Sequence, residues 1–308
     1  MYSARIILDN YNPITKSRCT TFEFTMPKWL VAEFNTHRMI AKNSASSRAI
    51  PTHKLIEMVE NNPVKPIDFR EKNTGMVAET IVSASDIQYL YDEWIAASKD
   101  ALKHVKNMLA IGNGVDKQRV NRLLEPFMWT TVVATATEWD NFFMLRNNSA
   151  AQPEFGLIAA IAQQLYETNE TEEIQPNNWH LPYVSPDEYR ELTIDQGIPA
   201  FVVAFASAAR IARVTYVNQD KKYAFFEEVA RGIKLARDRH MSPLDQVAMA
   251  TYSREFFGHS HSFRPLRKYL IGESGSHKHG NWYNTGINIF VHNGLDFYMK
   301  DGVFQYHD

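Results

Sequence analysis

The apolar positions of this chain switch between a two-residue and a 3.6-residue period, and the switches mark its elements. Thr21-Phe22-Glu23-Phe24-Thr25-Met26 alternates apolar with polar side chains, the pattern of a half-buried strand. Pro27 ends the alternation, and Trp29-Leu30-Val31-Ala32-Glu33-Phe34 reads as an apolar helical stretch. Between Asp86 and Ile111 the positions Ile87, Leu90, Tyr91, Trp94, Leu102, Val105, Met108 and Leu109 keep helical spacing. Residues 75–85 read as a turn and helix entry, with Ser83 the candidate N-cap and Asp86 three residues on. Gly112-Asn113-Gly114 stops this longest helix, whose Met and Trp side chains are expected in the core.

Shorter helices are predicted over 117–124, 138–147, 153–168, 199–215 and 223–239. Pro126 limits the first of these, and Pro153 sits in the first turn of the third. Phe127–Val133 mixes aromatic and β-branched residues and fits either state. Residues 169–199, rich in Asn, Pro, Glu and Asp, read as a connecting loop. Residues 272–308 differ in composition: Asn293-Gly294 and Asp301-Gly302 punctuate alternating stretches, which argues a short β-meander. No internal repeat or low-complexity tract appears.

One segment fits neither period. Asn35-Thr36-His37-Arg38-Met39-Ile40-Ala41-Lys42-Asn43-Ser44-Ala45-Ser46-Ser47-Arg48 carries arginines, a histidine and serines without an apolar run. Such a segment is not expected in a core, because its donors would go unpaired. Planar cations with small hydroxyls between them suit an anionic ligand. The alternative is a solvated loop, but no Gly, Pro or acidic residue appears before Pro51.

Composition narrows the classes. The 308 residues, 44% hydrophobic and 22% charged, suit a soluble globular protein with a large core. A formal net charge of -2 gives no global basic field, so nucleic acid is not an expected partner. Met1–Asp9 lacks a signal-peptide apolar region, and no apolar run is long enough to span a membrane, so a cytoplasmic location is expected. The single cysteine, Cys19, excludes internal disulfides and fits a reducing compartment. His259-Ser260-His261 and His277-Lys278-His279 pair histidines without neighbouring cysteines, and exposed polar loops explain them more simply than zinc.

Three further segments join the polar one: Arg119 with Asn121-Arg122-Leu123-Leu124-Glu125-Pro126, then 137–154, then Arg210–Tyr216 with His240–Gln246. Together they resemble the flavin-dependent thymidylate synthases. That family carries Arg-His-Arg-x-x-Ser-x-Asn-Glu-x-Ser-x-Arg, and His37, Arg38, Asn43, Ser46 and Arg48 fall in register with it. Thr36, Ala41 and Ser44 stand where the motif has its first Arg, its first Ser and its Glu. Leu145-Arg146 and Ala151-Gln152-Pro153-Glu154 look like the family's Leu-Arg followed by Ala-Gln-x-Glu. Ala212-Arg213-Val214-Thr215 and His240-Met241-Ser242-Pro243-Leu244-Asp245-Gln246 resemble two more of its elements, with Asp for Glu and Gln for a second His. In typical members those two precede the arginine motif, whereas here they follow everything else. The chain therefore resembles a circularly permuted member of the kind found in phages, which would place it in the cytoplasm of a bacterial host.

The resemblance covers roughly residues 19–270 and implies an α+β fold, a central antiparallel sheet flanked by helices. A catalytic domain over 1–271 and a β-rich extension over 272–308 of unknown role complete the expected organisation. It further implies transfer of a one-carbon unit from methylenetetrahydrofolate to C5 of dUMP, with FAD reduced by NADPH, in a homotetramer whose active sites lie at subunit junctions. No cysteine nucleophile is needed, which agrees with Cys19 on a predicted strand edge. By carry-over, His37, Arg38, Asn43, Asn141, Thr215 and His240 would line the cofactor. Ser46, Arg48 and Arg122 would hold the nucleotide, with Arg119 as the fallback for Arg122 and Ser44 beside them. Arg146 would face the pyrimidine and stabilise negative charge, as a preorganised cation can. Read without the resemblance, Arg146 is a solvated helix end favoured by the helix dipole. Losing a cation at Thr36 and a carboxylate at Ser44 leaves local charge nearly constant but puts the nucleotide in question. Alternatives are another pyrimidine nucleotide such as dCMP, a hydroxymethyl product, or a non-catalytic flavin- or nucleotide-binding protein.

Overall fold

The computed structural model describes residues 2–72, 80–111, 114–214 and 223–270, together with the backbone strands within 288–307. Strands β1 (Ser3–Asn12) and β2 (Ser17–Pro27) lead into helix α1 (Leu30–Phe34) and strand β3 (Ala41–Ser44). Helices α2 (Thr52–Asn61), α3 (Ala84–Leu109) and α4 (Lys117–Val120) precede strand β4 (Trp129–Ala136). Helices α5 (Asp140–Arg146) and α6 (Pro153–Thr168) are followed by strands β5 (Glu172–Glu173) and β6 (Trp179–His180). Helices α7 (Pro186–Arg190), α8 (Ala200–Val214) and α9 (Phe225–Arg237) come next, then strands β7 (Ala248–Ala250) and β8 (Phe263–Pro265). Strands β9 (Asn288–His292), β10 (Leu295–Lys300) and β11 (Val303–His307) pair antiparallel in that order, the expected meander. Its two turns lie outside the described residues.

The main sheet runs β3-β4-β2-β1-β5. It is antiparallel except at one edge, where β5 pairs parallel with β1 through Asn10 and Tyr11. The two-residue period of β2 assigns its faces. Phe22, Phe24 and Met26 pack with Phe34, Trp139, Phe142 and Phe155 from α1, α5 and α6 and the turn before α5. The opposite face turns Thr21 and Glu23 towards a second layer built on α8, α9 and the small sheet β6-β7-β8. Helices α8 and α9 nearly touch: a Cβ on Gly232 would lie 2.1 Å from the Phe205 carbonyl oxygen. Glycine allows that close approach.

Several expectations hold. Ser83 caps α3, its hydroxyl accepting the Asp86 amide at 3.2 Å, and α5, α6, α8 and α9 fall within or at the predicted spans. Others need correction. Residues 3–12, in which no element was read, form β1. Of residues 127–133, ambiguous in sequence, Phe127 closes a 3-10 stretch and 129–133 belong to β4 between β2 and β3, where neighbours on both edges favour the strand. The helix over 117–124 is one turn of α4 and then a 3-10 stretch, Asn121–Phe127, because Pro126 cannot donate to a helical ladder. The loop over 169–199 contains β5, β6, α7 and a π turn at Glu191–Asp195, and it buries Trp179 and His180. On α3, Trp94 packs inward but Met108 is 40% exposed, because it lies off the buried Ser98–Leu102–Val105 stripe. Cys19 lies buried in β2, an inner strand of the sheet rather than an edge, and burial pushes its thiol pKa well up.

Candidate functional site

The polar segment 35–48 is not a surface loop throughout. Residues Ala41–Ser44 form edge strand β3, paired with Thr135 to Val132 of β4, and His37, Ala45 and Ser47 are buried. Burial costs little here because the donors find partners. Ser47 donates its hydroxyl to Glu125 at 2.5 Å, and Asn121 donates to the Ser47 and Ile50 carbonyls at 2.7 and 2.9 Å. Lys42 donates to the carbonyls of His37 and Ile40, which closes the turn between α1 and β3. Burial lowers the Lys42 pKa to about 8.

Arg146 at the end of α5 is not a solvated helix terminus. Its Nε donates to Nε2 of His37 at 2.9 Å, its Nη1 pairs with Glu33 of α1, and its guanidinium lies 4.8 Å from the Phe155 ring centre. His37 therefore presents Nε2 as an acceptor and carries its proton on Nδ1. Burial first, and then the charges of Arg146 and Lys42, hold its pKa down at about 4. Asn141, five residues earlier and about 140° round the helix, is exposed instead. Arg38 and His240 are also exposed, and neither side chain has a hydrogen-bond or ion-pair partner among the described residues, although the His240 amide donates to the Leu235 carbonyl at 2.9 Å. Thr215 lies outside the described residues.

The fourth segment meets the first. Asn43 donates Nδ2 to the Ile211 carbonyl at 3.4 Å and accepts the Ser242 hydroxyl on Oδ1 at 2.8 Å. The arginines of α8 are internal struts. Arg210 binds Glu188 at 2.5 and 2.6 Å and Glu228 at 2.6 Å, and Arg213 pairs with Glu228 at 2.8 Å.

Below β3 opens a cleft of about 890 Å³, a size that suits a small organic ligand. Ser44 and Ser46 line it from the first segment, Arg122 and Glu125 from the second, and Gln152 and Glu154 from the third. Arg119 does not line it and is exposed, so Arg122 is the arginine brought to the site. Arg48 is exposed at its margin, with Nε 3.5 Å from the Ser46 hydroxyl. Arg122 reaches Glu125 only at 3.8 Å, and Glu154 is buried and accepts the Ile67 amide at 2.8 Å.

The sequence reading missed Lys28, Trp29 and Trp94 of the same cleft. Lys28 is a lone cation between an apolar strand and an apolar helix, a signal available in the sequence. Trp29 and Trp94 stack edge to face at 5.7 Å, and the buried indole N–H of Trp29 has no partner among the described residues.

The paired histidines at 259 and 261 are not exposed. His261 is buried, with Nε2 3.1 Å from Glu138 and Nδ1 3.2 Å from the Ser262 hydroxyl; His259 is half-buried against the Asp245 carbonyl. Among the described residues no His, Cys, Asp and Glu cluster could hold a metal, and no helix is long and apolar enough to cross a membrane. His277 and His279 lie outside them.

No family model matches this chain, and no curated protein does. Solved structures similar to it include a UMP/dUMP methylase, PolB from Streptomyces cacaoi, bound with 5-Br UMP. It is 13% identical with a TM-score of 0.42, over 54% of this chain and 88% of that one. The same enzyme bound with 5-Br dUMP gives 12% identity and a TM-score of 0.42, over 54% and 90%. Thymidylate Synthase X from Helicobacter pylori with FAD and dUMP gives 16% identity and a TM-score of 0.33, over 48% and 66%.

Proposed function

We propose that this chain transfers a one-carbon unit from methylenetetrahydrofolate to C5 of dUMP, using FAD reduced by NADPH. The carrying observation is the cleft itself: three of the four family-like segments, far apart in sequence, contribute Ser44, Ser46, Arg122, Gln152 and Glu154 to one set of walls. The fourth segment is tied to the first through Asn43, although in this chain it comes last. That tie supports the permuted reading, since a permuted chain keeps its spatial contacts while its order changes.

In this reading Ser46, Arg48 and Arg122 hold the nucleotide phosphate, a role that suits a guanidinium fork and a free hydroxyl. Gln152 and Glu154 border the base. The cofactor residues fit FAD in part. Arg38 and His240 are exposed side chains without partners among the described residues, suited to an anionic diphosphate, whereas Asn43 is committed to Ile211 and Ser242 and acts as a strut. Bound FAD would supply the two reducing equivalents that turn a methylene unit into a methyl group.

Arg146 does not line the cleft of its own chain. The reading accommodates this through the homotetramer: an active site at a subunit junction lets one chain's cleft face another chain's Arg146. There the guanidinium, held by His37 and Glu33, would stabilise negative charge on the pyrimidine and make C5 a better nucleophile.

A second reading keeps the scaffold and changes the nucleotide to dCMP or the product to hydroxymethyl. The neutral Ser44 in the cleft, where the family carries Glu, favours keeping it open. The visible spectrum of the purified full chain, with bound flavin absorbing near roughly 450 nm, tests the cofactor. Tritium release from C5-labelled dUMP and dCMP, with methylenetetrahydrofolate and NADPH present, separates the nucleotides. A colourless protein that releases tritium from neither is a binding protein, and the enzymatic reading fails.

A further inference from the structure

The most unusual member of the cleft is Lys28, which no part of the resemblance assigns. It directly follows Pro27 at the end of β2, and its backbone amide is fixed by the Met128 carbonyl at 2.9 Å. Its ammonium donates one hydrogen bond, to the Ala45 carbonyl at 2.7 Å. Ala45 stands between Ser44 and Ser46, so this bond sets the cation beside the two hydroxyl-bearing residues of the cleft. The other two N–H groups have no partner among the described residues. A half-buried ammonium with two donors left over lacks a full counter-charge from the described residues. The carboxylate that acts on it, Glu125, is already engaged by Ser47 and offset by Arg122. Burial accordingly lowers the Lys28 pKa, Arg122 lowers it further, and Glu125 opposes them only in part.

We infer that Lys28 is a phosphate-binding residue of this cleft, acting with Arg122 and the Ser46 hydroxyl on the phosphate of a nucleoside monophosphate. The inference rests on the nucleotide reading above and deepens it. A compact ammonium meets a phosphate as a point charge, so it needs no fork geometry. Two cations and a hydroxyl around one phosphate also explain how the cleft would tolerate Glu125 and Glu154 in its walls.

The test compares dUMP with deoxyuridine on the intact protein by calorimetric or ligand-observed titration. Lys28→Met should weaken dUMP at least about tenfold, the scale of one charge-assisted hydrogen bond, while leaving deoxyuridine within about twofold. Lys28→Arg should restore much of the preference. Lys28→Gln, which keeps a donor for the Ala45 carbonyl and removes the charge, gives the same reading if the Met variant does not fold. Unchanged dUMP affinity in Lys28→Met, with weakened affinity in Arg122→Met, overturns the assignment and leaves the nucleotide reading intact. Equal loss of dUMP and deoxyuridine also overturns it, because Lys28 would then only hold Ala45. A wild-type protein that binds neither compound sinks the nucleotide reading, and the inference with it.

Discussion

The Ser242 hydroxyl donates to Oδ1 of Asn43 over 2.8 Å, joining positions 199 residues apart. That one contact docks the segment after α9 onto edge strand β3. Truncating either partner should cost about 1 kcal/mol, the net worth of a typical hydrogen bond. A double-mutant cycle with Asn43→Ala and Ser242→Ala should show a coupling of at least about 0.5 kcal/mol in denaturant unfolding. Strict additivity would mean that the two segments are held together elsewhere.

Arg146 should depress the His37 pKa measurably. Burial is the larger cause and Lys42 remains, so Arg146→Gln should raise it from about 4 without returning it to 6.5. A proton-NMR titration of the His37 ring in both proteins reads this directly. An unchanged value would mean that the Arg146–His37 contact does not persist in solution.

Acid should destabilise the fold before its carboxylates titrate. His37 and His180 have folded-state pKa values of about 4 and about 3, both depressed below the usual 6.5, with burial the leading cause. Above pH 6.5 both are neutral in either state and add no slope. Below it the unfolded chain takes up protons that the folded chain refuses, so stability falls as the pH falls. The His180 ring is buried between Asn10 and Thr21 at 2.7 and 2.8 Å. In His180→Gln the overall denaturation midpoint should drop, yet its decline between pH 6.5 and 5 should be shallower than in the wild type. An equally steep decline would place the proton uptake on other groups.

Gly232→Ala should be among the worst single-methyl additions in this chain. Its Cβ would meet the Phe205 carbonyl at 2.1 Å, and backbone cannot rotate away as a side-chain tip can. Overpacking of this kind should cost about 3 kcal/mol, the upper end of its usual range, read as a lower denaturant midpoint with unchanged slope. A midpoint within error of the wild type would show that α8 and α9 can separate freely.

The proposed sharing of active sites between subunits is open to a complementation test. Arg48→Ala, at the margin of the cleft, and Arg146→Lys should each lose at least about 10²-fold in turnover, the scale of one charge-stabilising donor. Mixed oligomers of the two variants should regain a fraction of wild-type activity, because some junctions then combine an intact cleft with an intact Arg146. Mixtures no more active than their parents would place Arg146 outside the site.

The local elements were legible because their causes are local. The capping of α3 by Ser83, the proline at the start of α6 and the alternation in β2 depend only on neighbours in sequence. The chemistry-bearing segments were legible as residue types at fixed spacing. Burial of segment 35–48 was not, since it requires β4 to complete its ladder and Glu125 to accept from Ser47, and both arrive from distant positions. Met108 escaped the same way: helical spacing gives the stripe, but only the packing of α2 and the 3-10 stretch against α3 decides which residues it covers. Strand β1 and the short elements within 169–199 were missed because their stability comes from partners across the sheet and from α8. Sequence therefore determined where cations and hydroxyls cluster along the chain and which periods the backbone follows. Tertiary structure alone decided that Arg146 turns inward to His37 and Glu33, that Arg122 rather than Arg119 reaches the cleft, and that Lys28 stands beside Ala45. Those outcomes depend on distances between segments that no local pattern encodes.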